Sequence, residues 1–147
     1  MNALSQTQIA LSQTHMALLG YIGLFLVLLL ILAGLRTLLT LNGTKKANDF
    51  APTGEDAGAF SRRLVRAHAN MYEFFPVFGG VLLYALATGQ TEATNGLAMI
   101  FLGARVLQTL VHLLSTSIIA VQARFFFFLV QFFIAAYWLL NFCGILG

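Results

Sequence analysis

The chain has 147 residues, of which 59% are apolar and only 9% charged. A soluble domain carries roughly a quarter charged residues, so this set can neither clothe a water-facing surface nor supply the charge that keeps a chain disordered. The net charge of +3 comes from eight basic residues against five acidic; the basic ones are scattered and form no stripe of the kind nucleic acid requires, and the single cysteine, Cys143, excludes an internal disulfide or a multi-Cys metal site.

The predicted class is all-α integral membrane: a four-transmembrane-helix bundle in one membrane domain over residues 1–147. A spanning helix needs about 20 mostly apolar residues. Stretches nearly free of Asp, Glu, Lys and Arg predict helices at about 16–42, 60–88, 93–117 and 121–146, with a loop at about 43–59. The runs are apolar all round, whereas barrel strands alternate. The leader repeats Ala3-Leu4-Ser5-Gln6-Thr7 as Ala10-Leu11-Ser12-Gln13-Thr14, too few copies for a coiled coil. Residues 1–15 hold no Lys or Arg, so the first helix reads as retained rather than as a cleaved signal. Asn42-Gly43 predicts a helix stop and Ala51-Pro52-Thr53-Gly54 a turn. Thr88-Gly89-Gln90-Thr91 together with Asn95-Gly96 predicts a short hairpin connection.

Lys45, Lys46, Arg62, Arg63 and Arg124 gather at the first and third connections, with Arg36 and Arg66 just inside the membrane. By the cytoplasmic excess of Lys and Arg, both termini are non-cytoplasmic.

Charges within a bilayer cost several kcal/mol, which makes each a candidate for function. Arg66, Asn70 and Glu73 recur at i, i+4 and i+7 on the second helix, and Arg105, Gln108 and His112 at i, i+3 and i+7 on the third, in each case one helix face. In antiparallel neighbours, residues at one depth share a constant index sum, which pairs Glu73 with Arg105, Asn70 with Gln108 and Arg66 with His112. At 1.5 Å per residue the first pair lies roughly 18 Å from the cytosolic helix ends and the last about 8 Å. Arg36 and Gln131 fall at comparable depths. The pattern predicts a polar cleft opening toward the cytosol, with four arginines against one glutamate, suited to an anion. The plainer alternatives are a register-fixing ion pair with hydrogen-bond glue and arginines snorkelling to lipid phosphates.

Across Arg66-Ala67-His68-Ala69-Asn70-Met71-Tyr72-Glu73-Phe74-Phe75-Pro76 the sequence resembles the MAPEG family, membrane-associated proteins in eicosanoid and glutathione metabolism, as a divergent, bacterial-type member. Arg105 followed by polar residues at +3 and +7 matches the family's third helix. The resemblance implies a homotrimer with glutathione as co-substrate, bound between subunits near the cytosolic side. It also implies transferase, peroxidase or isomerase chemistry on a lipophilic small molecule drawn from the lipid phase. Carried over to this chain, the glutathione-binding set is Arg66, Asn70 and Glu73 with Arg105 and Gln108, joined by Arg36 and His68 from the adjoining subunit.

The chain departs from the family at Gln108, His112 and Phe74, and it has Val121 where the thiol-activating arginine usually stands. Arg124, one helical turn later, and His112 are therefore the catalytic candidates. Half-ionising a thiol of pKa about 8.5 at pH 7 takes roughly 2 kcal/mol, which one arginine in a dry site can supply. A non-catalytic lipid-binding or scaffold protein on the same fold is the alternative. A small proton-coupled exporter is a third class; it needs Glu73 to titrate, which a paired Arg105 opposes. Pro76 predicts a bend just beyond Glu73. No metal-ligand cluster, phosphate loop or Ser-His-Asp pattern is legible.

Overall fold

The computed structural model describes residues 11–146, so the first copy of the leader repeat lies outside the described residues. Four long helices follow in order: α1 (Gln13–Leu41), α2 (Gly58–Ala87), α3 (Thr91–Leu114) and α4 (Ile118–Phe142), with a single 3-10 turn at Glu55–Ala57 before α2. Each of the four is long and apolar enough to cross a membrane, and no strand occurs among the described residues.

Local chemistry fixes the helix ends. Ser12 caps α1 by accepting from the His15 backbone N–H at 3.4 Å, so the helix starts three residues ahead of the predicted boundary. Its first turn is tied to α3: the Thr14 and Thr94 hydroxyls lie 2.6 Å apart, and Thr14 donates from its backbone N and Oγ1 to Asn95 Oδ1 at 3.1 and 2.8 Å. Asn95-Gly96 thus belongs to the opening turns of α3 rather than to the connection. At the other end of α1, Gly43 takes φ +75° and Lys45 N closes onto Leu39 O at 3.0 Å, a left-handed stop that glycine adopts without a Cβ penalty. Ser117 caps α4 through Ala120 N at 3.2 Å, which ends the α3–α4 connection earlier than the apolar pattern suggested. α2 runs unbroken through Pro76.

In the α1–α2 loop, the Lys45 ammonium bonds the Asp56 carboxylate and also donates to Asp49 O at 3.0 Å. The Ala51 N–H adds a bond to Asp56 at 3.0 Å. The lysine hydrogen bond first, and the Ala51 amide second, hold the Asp56 carboxyl below its ordinary range.

α3 is the central helix, packed against α1, α2 and α4; α1 also packs on α2, whereas α1 and α4 do not meet among the described residues. The core runs through Tyr21, Leu64, Met71, Phe78, Phe101 and Trp138, all at most 2% exposed. Phe101 meets Phe78 edge-on at 5.4 Å and Trp138 at 5.1 Å. Outside, large aliphatics stand bare, Leu30 at 72% and Ile118 at 79%, a surface that hydrocarbon satisfies and water does not. On α2, Arg63 Nε donates to the Leu113 carbonyl at 2.7 Å, using one of the free carbonyls at the end of α3.

Candidate functional site

α2 and α4 touch only thinly, and the gap between them, floored by α3, is a cleft of about 590 Å³ at the basic end of the bundle. Arg66, Asn70 and Phe74 line it from α2, Gln108 and His112 from α3, and Val121, Arg124, Phe125 and Phe128 from α4. Its volume falls in the range of small-molecule sites. Phe74 and Phe128, with ring centres 5.1 Å apart, join the two walls.

Two polar pairs read at equal depth, Arg66 with His112 and Asn70 with Gln108, border this one cleft. The antiparallel α3–α4 turn brings Arg124 in beside them, with its guanidinium nitrogen 3.0 Å from His112 Nδ1. Guanidinium nitrogens only donate, so His112 Nδ1 is the accepting nitrogen and the ring's N–H is on Nε2. That assignment removes Nδ1 as a proton acceptor toward any ligand, and it makes His112 the group that holds Arg124 in place.

The third predicted pair does not form. Arg105 is 1% exposed; its Nε donates to Met71 Sδ at 3.2 Å, a second nitrogen donates to Gln108 Oε1 at 3.2 Å, and the guanidinium lies over the Tyr21 ring at 5.2 Å. It does not line the cleft. Glu73 is exposed on the outer side of α2 and makes no salt bridge among the described residues. The constant index sum gives depth alone. Azimuth is set by which side of α2 is apolar, and the buried row Leu64, Ala67 and Met71 turns Met71 toward α3 at that level. Glu73, two residues on, is about 200° away round the helix. The exposed side of α2 instead carries Arg62, Arg66 and Glu73.

Arg36 and His68 are separate from the cleft within the chain. Arg36 sits over the Phe50 ring at 5.4 Å in a smaller hollow bordered by Thr37, Thr40 and Ala47. The His68 ring lies 5.1 Å from the Phe25 ring on the α1 side of α2. Gln131, read from the sequence only as lying at a comparable depth, is fully buried behind the cleft and donates to Gln108 Oε1 and to the Phe127 carbonyl, both at 2.8 Å. A lone glutamine inside the Phe-rich stretch of α4 is the signal that marks it. Among the described residues no group of three or more His, Cys, Asp or Glu is placed to hold a metal ion.

The cleft therefore offers hydrogen-bond donors from Arg66, Arg124, Asn70 and Gln108 and no carboxylate, beside apolar wall residues Phe74, Val121, Phe125 and Phe128. This suits an anion with acceptor groups and an apolar companion. The family model for MAPEG, the MAPEG family, matches residues 14–143. No curated protein and no solved structure matches the chain.

Proposed function

The chain belongs to the MAPEG family, and on that footing we propose that it is a glutathione-dependent membrane transferase or peroxidase acting on lipophilic electrophiles. The observation that carries the proposal is the meeting of Arg66 and Arg124 in one carboxylate-free cleft, with Arg124 fixed by His112. Family members include glutathione-dependent transferases and peroxidases, and they commonly form trimers.

Glutathione carries two carboxylates, one ammonium and a thiol, and it supplies a thiolate nucleophile. Arg66 suits a carboxylate, which it can grip with two parallel N–H bonds. Arg124 supplies positive charge to the sulfur in place of the arginine that Val121 displaces; Val121 itself forms part of the cleft wall. The exposed ring of Phe125 and the half-buried ring of Phe128 make the apolar side on which an electrophile rests.

The ammonium finds no carboxylate within the cleft of one chain, because Glu73 is on the outer face of α2. A homotrimer answers this, since a neighbouring copy seated on that face brings Glu73, and with it Arg36 and His68, into an intersubunit site. In this reading the site faces the cytosol and both termini the non-cytoplasmic side of a bacterial inner membrane, an orientation supported by the cytoplasmic excess of basic residues. With Glu73 free of Arg105, the exporter reading loses the objection that pairing raised; family membership now stands against it.

Purified protein in detergent is expected to conjugate glutathione to a chromogenic electrophile, and Arg124→Ala to lower turnover about 10²-fold, the usual loss for one preorganised charge donor. Failure of the wild type to bind glutathione at millimolar concentration ends the proposal. Val121 in the cleft wall favours a second reading, a non-catalytic lipid-binding or scaffold member. Any turnover that Glu73→Gln abolishes counts against that reading.

A further inference from the structure

Gln108 borders the cleft although it is only 3% exposed, and its amide is gripped from behind. Its Oε1 accepts from Arg105 at 3.2 Å and from Gln131 Nε2 at 2.8 Å. A guanidinium has donors only, so the Gln108 atom that meets it is the carbonyl oxygen. The Gln131 amide is oriented by the same logic, since its nitrogen also meets the Phe127 backbone carbonyl at 2.8 Å, which only accepts. Arg105 is itself anchored on two further sides, by Met71 Sδ and the Tyr21 ring, and does not follow Gln108 if that amide turns.

Both bonds fall on the oxygen, which leaves Gln108 Nε2 without a hydrogen bond to any described residue. It is nonetheless absent from the fully buried unpartnered side-chain atoms among the described residues, which are Tyr21 Oη, Gln131 Oε1 and Trp138 Nε1. The nitrogen therefore keeps access to open space, and the space Gln108 borders is the cleft. An unrestrained glutamine offers either end of its amide to a ligand; this one offers only N–H.

We infer that Arg105 and Gln131 are positioning residues that hold the Gln108 amide nitrogen toward the cleft as a fixed donor, selecting a ligand that presents an acceptor there, an oxygen or a thiolate sulfur. This rests on the glutathione reading of the same cleft and assigns that ligand an acceptor at the depth of Gln108. Arg105, on this view, acts through Gln108 and does not touch the ligand.

A double-mutant cycle on the full chain in detergent tests the coupling, with glutathione binding measured by calorimetry for Gln108→Met, Gln131→Met and both together. Each single change weakens binding about 3- to 10-fold, the net worth of one hydrogen bond, and the double variant binds no more weakly than Gln108→Met alone. Losses that add overturn the inference, because Gln131 reaches the ligand only through Gln108. If Gln131→Met does not fold, Gln131→Asn, which keeps a buried amide but shortens its reach, takes its place in the cycle. If the wild type binds no glutathione, the functional proposal fails, and the positioning is read separately from side-chain amide NMR of protein labelled at glutamine nitrogen. There the Gln108 NH₂ pair, identified by its loss in Gln108→Met, is a single set in wild type and shifts or doubles in Gln131→Met. An unchanged pair overturns the inference.

Discussion

His112 shows how one hydrogen bond decides a residue's role. Its Nδ1 accepts from Arg124 at 3.0 Å, so it orients the cation and has no lone pair left on that nitrogen for a ligand proton. Replacing it by alanine removes the support and leaves the cation, and turnover then falls only about 5- to 10-fold, the worth of the positioning bond. Removal of Arg124 itself costs much more. The pH–rate profile of His112→Ala keeps the shape of the wild type, since no general base has been lost. Steady-state kinetics across pH checks this, and a profile that loses its acid limb would return His112 to proton transfer.

At the scale of elements, the sequence marked where α1 and α2 end better than where they begin. Gly43 and Gly89 stand in the left-handed conformation just past α1 and α2, as a glycine after an apolar run leads one to expect. The starts of α1 and α3 depend on Ser12, Thr14 and Asn95, whose polarity reads as loop until the helices are side by side and bond each other. The α1–α2 loop has its own pH signature. Asp56 has a lowered folded pKa, chiefly through Lys45. Its contribution to stability is complete above the unfolded carboxyl pKa of about 4 and is lost as pH falls through the lower folded value. The thermal midpoint of wild type therefore exceeds that of Asp56→Asn at pH 7, and the gap narrows in strong acid. A gap independent of pH would show that the carboxylate charge has no part in holding the loop.

At the scale of the molecule, the decisive feature is the outward face of α2. Glu73 stands fifteen residues after Gly58 and fourteen before Ala87, roughly 21 Å from either end of the helix, and it is exposed. A carboxylate at that depth against acyl chains is costly by several kcal/mol, and the proposed trimer removes that cost by covering it. Native mass spectrometry from detergent is expected to show three copies of the chain. Glu73→Leu discriminates between environments: if lipid surrounds the residue the change stabilises the protein, and if a neighbouring subunit does, the trimer fraction falls. A monomeric chain stabilised by Glu73→Leu would overturn the intersubunit site.

Sequence alone determined the number of spanning helices, the antiparallel order and the depth of each polar residue, because these depend on composition and on a fixed rise per residue. It also matched Arg66 with His112, and Asn70 with Gln108 one turn further in, at one end of the bundle. Direction round each helix axis was decided only by packing. The apolar row of Leu64, Ala67 and Met71 turned Glu73 outward and left Arg105 to bond Met71 and Gln108. The α3–α4 turn swung Arg124 onto His112 across twelve residues. Periodicity measures which residues share a face, but which face meets which neighbour is set by the summed contacts of all four helices.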